Sequence, residues 1–104
     1  MVPTGLRVAI PEGYEGQIRA RSSLGKKGLI LPHSIGTIDS DYRGDLFVLM
    51  TWIGEGDSYV IEKGERIAQM VIAPIPKTQF KEVDLEHLGQ TKRGEGGFGS
   101  TGRF

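Results

Sequence analysis

Turn residues break this chain into pieces too short for long helices. Glycine fills 16 of its 104 positions and proline five. Short apolar or alternating segments recur between them, the pattern of an all-β sandwich or barrel. Leu6, Val8 and Ile10 alternate with Arg7 and Ala9, which predicts a half-buried strand ended by Pro11-Glu12-Gly13. Glu15 to Arg19 is expected to return as its partner strand. Arg21 to Gly28 is polar and basic, a loop with room for one helical turn, and Leu29-Ile30-Leu31 is a short strand stopped by Pro32. Leu46 to Ile53 is almost continuously apolar, as in a strand buried on both faces. Ser58 to Ile61 and Arg66 to Ile75 are expected as strands around a turn at Glu62-Lys63-Gly64-Glu65, with Phe80 to Val83 as one more.

A chain of 104 residues makes one small domain. At that size only roughly 60–70% of the unfolded surface is buried, so oligomerisation is a fair expectation. Lys plus Arg equals Asp plus Glu, at 13 each. That balance argues against general nucleic-acid binding, which needs a basic surface, but leaves room for a local anion site. With no cysteine, disulfides and thiolate metal sites are excluded, and a cytoplasmic location is expected. No apolar run approaches the ~20 residues of a membrane helix, and the basic start and long apolar stretch of a signal peptide are missing.

The texture changes at Gly89. Six of the glycines fall in residues 89–104, with almost no aliphatic side chains. Such a segment buries too little apolar surface to order itself. Residues 1–88 are therefore expected to form the folded domain and 89–104 a flexible arm. Phe98 has little reason to sit in an inert linker, so the arm is expected to order on a ligand.

Three constellations carry chemistry. Gly36-Thr37-Ile38-Asp39-Ser40-Asp41-Tyr42-Arg43-Gly44-Asp45 reads as two strand ends joined by a tight acidic turn. Asp39 and Tyr42 there can point at a ligand, although Asp and Ser are also ordinary turn formers. Arg21-Ser22-Ser23-Leu24-Gly25 offers a cation, two hydroxyls and free amides, which suits an oxyanion. Gln69 lies inside an apolar strand, where its amide needs a backbone or ligand partner. Arg93-Gly94-Glu95-Gly96-Gly97-Phe98-Gly99-Ser100-Thr101-Gly102 joins a forked cation, two hydroxyls and an aromatic face, parts that fit a phosphate and a base. It lacks the Gly-Lys-Ser/Thr ending of a nucleotide triphosphatase loop. His33 and His87 are not at metal-ligand spacing.

In this order these segments resemble four of the five motifs of the homotrimeric dUTP diphosphatase (dUTPase) family, with Gly64-Glu65-Arg66-Ile67-Ala68-Gln69 as the fourth motif. The resemblance implies a jelly-roll-like β-barrel (β-clip) that trimerises. It also implies hydrolysis of dUTP to dUMP and pyrophosphate with magnesium, which limits uracil in DNA and supplies dUMP for dTMP synthesis. Each site would take the third motif from one subunit, the second and fourth from another, and the glycine-rich arm from a third. Asp39 would be the general base. Gly36, Thr37, Ile38 and Phe47 would read uracil, and Tyr42 would pack beneath the deoxyribose. Arg21, Ser22, Ser23 and Gln69 would hold phosphates. Phe98 would cover the base, with Arg93, Gly99, Ser100 and Thr101 closing over the γ-phosphate. Magnesium would be held by phosphates and waters, with no direct protein ligand.

Two departures stand out. His33 occupies a place near the uracil pocket where relatives often have Asn. The family's first motif, Gly-x-Asp-Leu, is missing, and with it the first strand and an acidic residue near the metal's water shell. A truncated chain, less active and less stable than a full-length relative, is the expectation. A dCTP deaminase shares the fold and the Arg-Ser-Ser motif, but typically has Trp where Tyr42 stands and lacks the arm. A non-catalytic trimeric nucleotide-binding module is the other alternative, and Asp39 is the residue that argues against it.

Overall fold

The computed structural model describes residues 1–104. It contains seven strands, β1 (Val2–Pro3), β2 (Tyr14–Ala20), β3 (Leu29–Ile30), β4 (Ile35–Ile38), β5 (Phe47–Val48), β6 (Thr51–Trp52) and β7 (Ala68–Pro74). A short helix, α1 (Ser22–Lys27), follows β2, and a 3-10 turn spans Leu85–His87. All pairings are antiparallel: β4-β2-β7 form a three-stranded sheet, and β1-β5 and β3-β6 are two-stranded ladders. No helix is long and apolar enough to cross a membrane.

The central strand shows why the sheet forms here. Gly16 and Ile18 of β2 are buried while Glu15 and Gln17, which alternate with them, are half-buried, the period-2 pattern of a strand with one inner face. A side chain at Gly16 would press on Ile10, Met70 and Ile38, with Ile10 Cδ1 only 2.8 Å from an added Cβ. The absence of a Cβ at this position is thus what lets Ile10, Ile38 and Met70 close over β2. Ile18, Leu31 and Val48 form the core cluster, with Ile38, Met50, Ile67 and Ala68 packed against it.

Helix α1 is one turn and a half, stopped by Gly28 at φ 113°. The Gly28 N–H closes the end by donating to Leu24 O (3.0 Å) and Gly25 O (3.1 Å). Its carbonyl accepts from the Ile53 amide at 2.8 Å, which ties the helix to the end of β6. Lys26 and Lys27 lie in the last turn, where the helix dipole favours cations.

The expected jelly-roll barrel is not what the chain forms. The structure is all-β and antiparallel, but extended and open. Its radius of gyration is 19.3 Å, against about 13 Å for a compact domain of this size. Only nine residues are buried. Backbone–backbone hydrogen bonds number 34, about half of what a closed fold of this length carries. Closure needs both edges of every strand paired, and the outer edges of β4 and β7 face no strand. The inner faces of the β1-β5 ladder and the β2-β7 pair stand apart instead. Between them runs an open apolar groove of about 860 Å³ whose walls include Val2, Ile18, Leu46, Val48, Ile67 and Met70.

Several expected strands also differ. Leu6 to Ile10 forms no ladder, because Gly5 at φ 73° turns the chain after β1. This segment is tied instead to the residue before β5, by Thr4 N–H to Leu46 O (3.1 Å) and Leu46 N–H to Leu6 O (2.9 Å). The return strand β2 therefore pairs with β4 and β7, not with residues 6–10. Leu46 to Ile53 splits into β5 and β6 in separate ladders. It buries one face only, since Leu46 and Val48 are inside while Phe47, Leu49 and Ile53 are exposed. Ser58 to Ile61 and Phe80 to Val83 form no strand.

Candidate functional site

The site residues fall into two groups at opposite ends of β2. The first lies where β4 ends. Register pairs Gly16 with Ile38, so Asp39 leaves the sheet at the start of β2. Thr37, Ile38, Asp39, Tyr42, Asp45, Leu46 and Phe47 line an open cleft of about 220 Å³. The turn between them is tied locally. Tyr42 N–H donates to Asp39 O (3.1 Å), Tyr42 Oη–H to Asp45 O (2.7 Å), and Arg43 Nη1 to Ser40 O (2.6 Å) and Tyr42 O (3.0 Å). Arg7 Nε reaches Asp45 Oδ1 at 2.7 Å. These bonds leave the Asp39 carboxylate exposed and free to act as an acceptor. The turn does not form a hairpin, because β4 pairs with β2 and β5 with β1.

Strand β4 pairs along one edge only. The N–H and C=O groups of alternate residues point to its other edge, so those in Gly36 to Ile38 that face away from β2 are available to a planar ligand. His33 sits beside this strand, with Nε2 3.1 Å from where a Cβ on Gly36 would stand. Glycine there keeps the backbone accessible.

The second group lies beyond the other end of β2. Ala20 pairs with Ala68 and Arg19 with Gln69. Arg21 Nη1 donates to Arg66 O (3.0 Å), and Gln69 Nε2 donates to Ala20 O (3.2 Å). The second and fourth motifs thus meet across the β2-β7 pair. Gln69 is exposed, not buried as its strand position suggested. Ser22 and Ser23 are exposed at the start of α1. From Gly16 to Ala20 is four residues, so the two groups are separated by about 13 Å along the strand.

The arm contributes a third set that touches neither group. It is a string of local turns: Arg93 Nε to Gly96 O (2.6 Å), Gly96 N–H to Arg93 O (3.0 Å), Ser100 N–H to Gly97 O (3.1 Å) and Gly102 N–H to Gly99 O (3.0 Å). Phe98 is as exposed as in a free chain, at 112%, and takes φ 47°. Gly99, Ser100 and Thr101 are exposed beside it.

Sequence reasoning gave no role to Arg7, Tyr59 or Glu65, although Glu65 stands in the fourth-motif segment. Tyr59 Oη–H donates to Glu65 Oε1 at 2.6 Å, and Glu62 N–H donates to Glu65 Oε2 at 3.0 Å. The Tyr59 bond, then the Glu62 amide, then Lys27 and Arg21 hold the Glu65 carboxyl below its ordinary value, with desolvation opposing. The same bond raises the Tyr59 phenol, helped by desolvation and the negative charges of Glu65 and Glu62. Tyr59 lies six residues before Glu65, a spacing without local periodicity in a loop, so no sequence signal marked the pair.

Asp84, Glu86 and His87 form an exposed cluster whose ligand atoms lie within 4.8 Å of one another, close enough to take a divalent ion. It belongs to the 3-10 turn, outside the three sheets.

A family model described as dUTPase matches residues 1–102. The chain is 61% identical over 104 residues to a deoxyuridine 5'-triphosphate nucleotidohydrolase of Dinoroseobacter shibae, with 99% of this chain and 65% of the relative covered. It is 53% identical over 103 residues to the enzyme of that name from Rhizobium etli, covering 98% of this chain and 64% of the relative. It therefore spans just under two thirds of the length of these relatives. Among solved structures it is similar to the Staphylococcus bacteriophage 80alpha dUTPase with dUPNHPP, at TM-score 0.73 and 35% identity, covering 93% of this chain and 72% of that one. With the matched residues running almost from end to end, the chain belongs to the dUTPase family.

Proposed function

We propose that the chain hydrolyses dUTP to dUMP and pyrophosphate in a homotrimer, with Asp39 as general base. The observation that carries this reading is the split of the candidate groups between the two ends of β2. One chain offers a carboxylate beside a base-sized cleft, and elsewhere a cation, hydroxyls and an amide suited to phosphates. The two meet on one nucleotide when they come from different copies. Open strand edges and the free-standing arm give copies something to pair with.

In this reading Asp39 takes a proton from water as the water oxygen bonds to the α-phosphorus. The bond from that phosphorus to the oxygen bridging the β-phosphate breaks, and pyrophosphate leaves. A positioned carboxylate contributes roughly 10²–10⁴-fold in rate. The unpaired edge of Gly36 to Ile38 reads the uracil edge, with Phe47 and His33 alongside. A base with donor and acceptor exchanged would leave a polar group unpaired, at about 1–3 kcal/mol. Tyr42 packs against the sugar. Arg21, Ser22, Ser23 and Gln69 of one copy bind phosphate oxygens of the nucleotide that lies beside another copy's Asp39. Residues 1–88 form the body. The arm, 89–104, closes with Phe98 over the base and Arg93, Gly99, Ser100 and Thr101 around the terminal phosphate, excluding water.

Magnesium bound to the substrate's phosphates would neutralise charge on the leaving group. The Asp84–Glu86–His87 cluster does not fit that role: magnesium favours oxygen donors and substrate phosphates, and an imidazole suits other divalent ions better. The test is release of products from purified chain with magnesium. Pyrophosphate from dUTP, with neither ammonia from dCTP nor pyrophosphate from UTP, is the expected result. Ammonia release would favour a deaminase, and tight nucleotide binding without product a binding module.

A further inference from the structure

We infer that Glu65 is a positioning residue that holds the Arg21 guanidinium in place for a phosphate oxygen, an inference that rests on the phosphate role proposed for Arg21. Both Glu65 oxygens are already used, Oε1 by the Tyr59 hydroxyl at 2.6 Å and Oε2 by the Glu62 amide at 3.0 Å. The Glu65 amide in turn donates to Glu62 O at 3.1 Å, so carboxylate and backbone close the Glu62–Glu65 turn from both sides. Gly64 at φ 83° lets the chain make that turn without strain. The next residue is Arg66, and its carbonyl accepts Arg21 Nη1 at 3.0 Å. Where the turn puts that carbonyl decides where the guanidinium sits.

Tyr59 is itself held. Its ring packs on Trp52 with centroids 5.2 Å apart, and Trp52 Nε1–H donates to Gly56 O at 3.1 Å. A continuous set of contacts therefore runs from β6 through Trp52, Tyr59, Glu65 and Arg66 to Arg21. Arg21 spends one donor on Arg66 and keeps the rest of its fork for an anion. Glu65 does not compete for that fork, because its own oxygens are engaged. Its carboxyl is held in the charged form by these partners, with Lys27 and Arg21 adding to the effect.

Glu65→Gln separates this role from simple folding. The amide keeps the shape but replaces one oxygen by a donor, so the Tyr59 and Glu62 partners cannot both be accepted as before. Three quantities decide the matter on the full chain and its variants: rotation of the Arg21 guanidinium by NMR, affinity for dUTP in a non-hydrolysing buffer, and affinity for deoxyuridine. In Glu65→Gln the Arg21 guanidinium is expected to rotate faster. dUTP should bind about tenfold more weakly, the scale of one charge-assisted hydrogen bond, while deoxyuridine binds unchanged. Tyr59→Phe, which removes one of the two partners, should fall between native and Glu65→Gln. Unaltered Arg21 rotation overturns the inference, and so does an equal loss for dUTP and deoxyuridine, which marks a merely structural residue. A native chain that does not prefer dUTP to deoxyuridine refutes the phosphate role of Arg21 instead; the rotation measurement then still decides whether Glu65 positions it.

Discussion

Asp39 faces its cleft because its neighbours are fastened and it is not. Arg43 and Tyr42 bond to backbone carbonyls of the same turn, which fixes the loop while leaving the carboxylate exposed. Asp39→Asn keeps the shape and removes the carboxylate proposed as the base. Turnover of dUTP should fall by roughly 10²–10⁴-fold with affinity retained, measured by pyrophosphate release and calorimetry. Gly44 supports the same turn through space, since an added Cβ would run into the Tyr42 hydroxyl and ring. Gly44→Ala should displace Tyr42 and cost about 1–3 kcal/mol by overpacking, seen in urea unfolding. The Tyr59–Glu65 bond sets a pH dependence of stability. Glu65 is lowered from 4.5, so its contribution is present above 4.5 and lost as acid takes the pH down through the folded value. Tyr59 is raised from 10.0, so its contribution is present below 10.0 and lost as pH rises through the folded value. Tyr59→Phe should flatten both limbs of a stability-against-pH curve. At this scale the sequence was informative where partners are close in the chain. Thr37, Ile38, Asp39, Tyr42 and Phe47 share one cleft because one turn carries them. Arg7 and Asp45, 38 residues apart, meet only through the fold.

Strand β2 is the element on which both candidate groups depend. Its partners β4 and β7 bring Asp39 to one end and Gln69 to the other. Helix α1 is held at its C-terminal end by a glycine crossing: a Cβ on Gly54 would strike the Lys27 carbonyl and the Trp52 ring, and one on Gly28 the Gly54 backbone. Gly54→Ala should destabilise the chain by about 1–3 kcal/mol and speed hydrogen exchange in α1, which carries Ser22 and Ser23. The strands at Tyr14–Ala20 and Ala68–Pro74 and the turn at Glu62–Glu65 were readable from alternation and turn residues. Leu46 to Ile53 misled because hydrophobicity reports burial without saying against what. Here three of its seven apolar side chains face outward: Phe47, Leu49 and Ile53.

For the whole molecule, local signals predicted many short antiparallel strands but not how they close. A barrel depends on pairing between strands far apart in the chain, and no residue pattern within β4 or β7 states whether its outer edge finds a partner. The result is an open chain of 56 × 39 × 18 Å with Phe80, Phe98 and Phe104 almost wholly exposed. Because the arm makes only internal turns, removing residues 89–104 should change the body's stability by no more than about 0.5 kcal/mol while abolishing turnover. In the proposed homotrimer, one site draws Asp39 and the arm from different copies. Two separately inactive chains test it: Asp39→Asn with its arm intact, and the arm-deleted chain with Asp39 intact. After unfolding and refolding together, the mixture is predicted to recover dUTP hydrolysis, as some sites then combine a native Asp39 with a native arm. A mixture as inactive as its two components would rule out a site shared between copies.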